Sequence, residues 1–104
     1  MKQGDLIWLS FSPQTGHEQM GRRPALIVSN DIFNQKTGLC LVCPVTNTVS
    51  GFPLHVPLEG TMTTGVVMAE HIRSIDPVSR NAEHIESVPA ATLTKVLALM
   101  KKIF

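Results

Sequence analysis

The stretch GHEQMGRRPALIVS, residues 16–29, carries the reading of the fold. Its second half continues as PALIVSN (residues 24–30) and is apolar on both parities. A strand with one wet face alternates apolar and polar residues, so this one reads as a central strand covered on both sides. Pro24 donates no N–H and is expected at the strand's start. The first half gathers His17, Glu18, Gln19 and two arginines directly ahead of that strand. Pro13, Gly16 and Gly21 mark the whole of residues 12–21 as a loop, longer than a hairpin needs, and long ordered loops tend to carry function.

Outward from this point the chain is punctuated at short intervals. DLIWLSF (5–11) reads as a first strand, with Trp8 and Phe11 expected in the core. SNDIFNQKTG (29–38) offers Ser29, Asn30 and Asp31 as caps and Gly38 as a stop, which predicts one or two helical turns. LCLVCPVT (39–46) is a third strand and PLHVPL (53–58) a short edge or bent strand between prolines. VVMAEHIRSID (66–76) reads as one long strand bent near its middle, and PVSRNAEHIES (77–87) as extended chain in preference to a short helix. The last segment predicts a helix opened by Pro89, with Leu93, Val96, Leu97, Met100, Ile103 and Phe104 on one apolar stripe and Leu99 off it, exposed or facing a partner subunit. Lys101 and Lys102 near its end suit the helix dipole. Five to seven short strands, a small helix and a terminal helix predict a mainly β domain, a small barrel or strongly curved sheet capped by helix.

Composition bounds the function. The 104 residues are expected to form a single domain, 1–104. Nine basic side chains against eight acidic leave a net charge of +1, which argues against a broad polyanion binder but allows a local basic site. The N-terminus lacks the pattern of a secretory signal and the apolar runs are short, so a cytoplasmic protein without a membrane partner is expected. Cys40 and Cys43 have the C-x-x-C spacing, but residues three apart in a strand face opposite ways, so two buried thiols are expected rather than a disulfide or zinc pair.

Several residues have the right chemistry for a site. Guanidinium groups at Arg22 and Arg23 fit phosphate oxygens, and a strand start would hold them rigidly; an ordinary ion pair with Glu18 or Asp31 is the competing use. His17 and Glu18 can move a proton near neutral pH if the fold tunes their pKa, or form a solvated loop tip. The Thr46 hydroxyl at the end of the third strand can bind a phosphate oxygen or cap the following turn. Phe52 is the one aromatic placed in an exposed loop, so no stacking platform is evident.

Taken together, GDLIWLSFSP, GHEQMGRRPALIVS, FNQKTGLCLVCPVT and GVVMAEHIRSID resemble the MazF/PemK family of toxin endoribonucleases, in order and spacing along almost the whole chain. The resemblance implies an SH3-like barrel with helical additions (the CcdB/PemK-like fold) acting as a homodimer. It implies cleavage of single-stranded RNA without metal or other cofactor, and a cognate antitoxin as partner. Carried over by residue, Arg23 and Thr46 are the expected catalytic pair, with Glu18 and His17 as alternatives for general base. Gln19, Arg22, Asn47, Phe52 and Glu70 are the expected RNA contacts, and Lys2, Arg73 and Arg80 further sources of positive potential. Met68 stands where the PemK branch has a basic residue, which favours a MazF-type site on Arg23 and Thr46. A same-fold binding toxin acting on a protein such as gyrase is the alternative.

Overall fold

The structure, a computed structural model, describes residues 1–11 and 22–104. Strand β1 (Asp5–Ser10) pairs antiparallel with β2 (Arg22–Ile27), placing Leu6 opposite Leu26, Trp8 opposite Pro24 and Ser10 opposite Arg22. Strand β2 begins two residues before the expected proline. Pro24 lies beyond the ladder to the next strand, which runs only from Ala25 to Ile27. Helix α1 (Asp31–Thr37) follows, with the Asn30 side chain accepting the Phe33 N–H and Gly38 closing it at φ 72°.

Strand β3 (Cys40–Thr46) takes β2 on one edge and two partners in succession on the other. Cys40 to Val42 pair with β6 (Arg73–Ile75), and Val45 and Thr46 with β5 (Val66–Met68). The single bent strand expected over 66–76 is therefore two strands, separated by a 3-10 turn at Ala69–His71. The reason is a contact distant in sequence: the Ala69 N–H leaves the β3 edge and bonds the Leu54 carbonyl at 3.1 Å, while Ala69 itself enters the core. Strand β4 (His55–Pro57) pairs with β5 as an edge, and β7 (Glu83–Ser87) covers the free edge of β1. Residues 77–82, expected to be extended, instead turn, with Asn81 at φ 53°. Among the described residues the strands form one seven-stranded antiparallel sheet in the order β4-β5-β3-β2-β1-β7, with β6 beside β3.

Alternation sorts the central strands onto two apolar clusters. Leu6, Leu26, Cys43 and Val45 face Val96 of helix α2 (Ala90–Ile103), and Ile7, Leu9, Ala25, Ile27, Cys40 and Val42 form the other cluster. Both parities of β1 and β2 are thus buried, as their composition demands. The two ends of the strand path meet through one side chain. The Glu86 carboxylate on β7 accepts the Met62 N–H at 3.1 Å, the Thr63 N–H at 2.8 Å and the Thr63 hydroxyl at 2.7 Å, tying the β4–β5 turn to β7.

Three expectations are corrected. Trp8 is 41 % exposed instead of buried, because its neighbours across the sheet, Pro24 and Glu83, do not cover an indole. Leu99 packs on the core cluster beside Val96, whereas Ile103 and Phe104, at the far end of α2, are exposed. Pro89 is the N-cap of α2, one position before its first turn.

The cysteines fall in opposite clusters, as strand parity requires. Burial, and then the neighbouring Glu70 charge, pushes the Cys43 thiol up to about 12; burial also raises Cys40. A thiol needs its anion to react. Iodoacetamide at pH 8 is therefore expected to leave Cys43 unmodified in the native protein and to alkylate it fully in denaturant, as read by peptide mass spectrometry.

Candidate active site

Strands β1, β2 and β3 end at a common edge, and a cleft of about 580 Å³ opens there. Its lining includes Arg22, Arg23, Thr46 and Asn47, so four of the expected site residues come together from segments far apart in sequence. The β4–β5 turn supplies another wall through Met62, Thr63 and Thr64. His17, Glu18 and Gln19 lie outside the described residues.

The two arginines do different work. Arg22 is spent on structure: Nη2 meets Glu83 Oε1 at 2.8 Å, and Nη1 bonds the Ser10 hydroxyl and the Asn81 carbonyl, each at 3.2 Å. This fixes the start of β2 against β1 and the turn before β7. Arg23 is exposed, its backbone opposite Leu9, and it makes no side-chain hydrogen bond or ion pair with another described residue. Its guanidinium is the cleft's cation available to an anionic ligand among the described residues. Arg73 lies over the Phe11 ring at 5.0 Å, and Arg80 reaches the Ser10 and Phe11 carbonyls. Neither lines the cleft, and nor does Lys2.

The opposite wall is a tight corner. The Thr46 hydroxyl oxygen accepts the Thr48 N–H at 3.1 Å, which is the turn-capping job, and its proton is donated to no other described residue. The Thr64 hydroxyl donates to Asn47 Oδ1 at 3.1 Å and steadies that side chain. Gly65 makes this corner possible. It has φ 122°, and a Cβ there would stand 2.6 Å from the Thr46 carbonyl oxygen and 3.1 Å from Asn47 Oδ1. The same turn is held from behind by Glu86, whose carboxyl lies below its ordinary 4.5 because the Thr63 hydroxyl, then the Met62 and Thr63 N–H groups, bond its charged form.

Two expected RNA contacts lie elsewhere. Glu70 sits in the 3-10 turn, where Oε2 meets His55 Nε2 at 2.8 Å and His71 Nε2 at 3.7 Å. Phe52 packs edge-on against His55 with ring centroids 5.2 Å apart. Neither lines the cleft. Conversely, Trp8, Gly65 and Glu86 shape the site without having been singled out. Trp8 was hidden by the unbroken apolar run of LIWL, which erases parity, and Glu86 acts through a turn whose position only the folded chain defines.

Fold and site together define a small, mainly β domain with an arginine-bearing cleft at the end of its central strands. The profile of the PemK-like, MazF-like toxins of type II toxin-antitoxin systems matches residues 2–104, so the chain belongs to this family. Endoribonuclease toxin MazF of Escherichia coli K12 is 44% identical over 76% of this chain and 71% of its own length. Endoribonuclease PemK of Escherichia coli is 37% identical over 99% of this chain and 81% of its own. Among solved structures, a MazE-MazF crystal structure from Deinococcus radiodurans superposes with TM-score 0.88 and 41% identity, covering 99% of this chain and 94% of that one.

Two outcomes follow from the geometry. Gly65→Ala is expected to lower stability by about 2 kcal/mol and to displace Thr46 and Asn47, read as a lower urea midpoint and shifted amide resonances at both residues. Because the Glu86 pKa is depressed on folding, its contribution is present above the ordinary 4.5 and is lost as pH falls through the lower folded value. The Tm of Glu86→Gln is therefore expected to lie below wild type at neutral pH, with the gap closing below about pH 4.5.

Proposed function

We propose that this protein is a sequence-specific endoribonuclease that cleaves single-stranded RNA without a metal ion, as the toxin of a toxin–antitoxin pair. The observation that carries the reading is the meeting of Arg23 and Thr46 at one cleft in a chain of this family. RNA brings its own nucleophile. The 2′-hydroxyl loses its proton to a base and its oxygen bonds to the adjacent phosphorus. The bond from phosphorus to the 5′-oxygen breaks, and that oxygen gains a proton. The products are a 2′,3′-cyclic phosphate and a 5′-hydroxyl end.

Arg23 stabilises the charge that builds on the phosphorane, a task for a permanently charged planar fork rather than for a base. The Thr46 hydroxyl donates to a non-bridging oxygen. Glu18 or His17 is the base, and such a group contributes a factor of about 10²–10⁴. Arg22 supports the site by holding the start of β2, and Asn47 and Gln19 contact the RNA. Phe52 and Glu70 belong to the RNA surface only if the substrate extends past the cleft toward β4.

The partners follow from the same reading: a homodimer in the cytoplasm, held in check by a cognate antitoxin that covers the RNA site. The MazE-MazF structure of the Deinococcus radiodurans relative supports an antitoxin partner. The alternative of a gyrase-directed toxin draws no support from relatives that are named endoribonucleases.

In EDTA, the wild type is expected to cut a long single-stranded RNA at one short recurring sequence and leave 5′-hydroxyl ends. Arg23→Ala is expected to lose about 10²–10³-fold in rate while keeping the wild-type Tm. An uncut RNA, with the protein folded and dimeric, sinks the reading.

A further inference from the structure

We propose that Trp8 is the stacking platform for one base of the RNA, beside the phosphate held by Arg23 and Thr46; this rests on the nuclease reading above. Trp8 is the only Trp of the chain and stands in the middle of a central strand. Its neighbours Leu6, Ile7 and Leu9 are all 0 % exposed, while Trp8 is 41 % exposed and lines the cleft. An indole offers the largest apolar area of any side chain, and leaving it in water forgoes that burial. A partly wet Trp is unremarkable on a flat surface, but this one is in a concave site and is flanked by Pro24 and Ile85.

The platform is rigid. Trp8 pairs with Pro24 across one edge of β1 and with Glu83 across the other, so its backbone is held from both sides. A side chain on a doubly paired strand loses little further freedom on binding, which is what a stacking surface needs. Around it the cleft combines an apolar wall with a cation at Arg23 and hydrogen-bonding groups at Thr46, Asn47 and Thr64. A nucleotide presents a flat π-face, a polar edge and an anion in one unit, and each meets its counterpart here. A single peptide side chain is either apolar or anionic, so it meets the apolar wall or the Arg23 charge but not both.

Stacking is tolerant of base identity, because every base has a π-face. Trp8 therefore contributes affinity and places the base, while Asn47 and Thr64 at the rim are positioned to read its edge.

The test uses the intrinsic emission of the single Trp in the full-length protein. The probe is a single-stranded RNA oligonucleotide spanning a mapped cleavage site, made uncleavable by a 2′-deoxy sugar at the cut nucleotide. Saturable quenching of the emission, and protection from acrylamide, are expected on binding. An abasic sugar next to the cut should abolish the quenching and weaken binding by about tenfold to a hundredfold. Trp8→Leu, which keeps apolar bulk without an aromatic face, should weaken Kd and raise KM over a similar range with a much smaller change in kcat; Trp8→Phe should restore most of the lost affinity. Unchanged emission on saturating RNA, or wild-type Kd in a folded Trp8→Leu variant, would overturn the proposal while cleavage persists. Loss of the parent reading looks different: the wild type itself fails to cut the unmodified RNA. If Trp8→Leu does not fold, the emission and abasic measurements on the wild type still decide the matter.

Discussion

The pairing of β1 with β2 is the constraint on which everything else rests. Leu6 faces Leu26 across this ladder, and both are fully buried. With apolar residues on both parities, neither strand tolerates a wet face, so the sheet must be covered on two sides. Helix α2 and the 77–82 turn with Ala82 lie on opposite sides of it. A one-residue slip of this register would exchange the faces and move Arg22 and Arg23 with them. The register that satisfies the core therefore also decides which arginine is consumed and which is left for a ligand.

That division resolves the low net charge. With +1 overall, positive potential has to be local, and the fold commits three of its four arginines to contacts within the protein. Arg22 is tied to Glu83, Arg73 rests on Phe11 and Arg80 bonds the carbonyls at the end of β1. What these three side chains share is the end of β1 and the start of β2, the two points from which residues 12–21 depart and return. Their side chains anchor the site's frame, and Arg23 faces the cleft from that frame. On the other wall the equivalent anchor is negative: Glu86 holds the β4–β5 turn, and Gly65 lets that turn press against Thr46.

Much of this was legible in the sequence. The strands around Leu6, Leu26 and Val42, the Asn30 cap, the Gly38 stop and the opposed cysteines follow from parity and local hydrogen bonding, and the structure has them all. Arg22, Arg23 and Thr46 could be picked out by their side-chain chemistry and their place at strand ends, and the family resemblance added Asn47. The failures have physical causes. A run such as VVMAEHIRSI keeps strand composition across a 3-10 turn, because the break is forced by Ala69 entering the core and bonding Leu54, a contact made at long range. Trp8 read as core because hydrophobicity alone does not tell whether the neighbouring strands are bulky enough to cover an indole. Glu70 met His55 instead of the cleft because the same break rotates it away from β5. Glu86 and Gly65 act through closeness in space, to which a linear pattern is blind.

The most direct test of the account is a crystal structure of the protein with an uncleavable single-stranded RNA. The account predicts the scissile phosphate between the Arg23 guanidinium and the Thr46 hydroxyl, in the cleft at the end of β1, β2 and β3. A phosphate seated instead beside Glu70 and His55, with Arg23 and Thr46 out of reach, would contradict it.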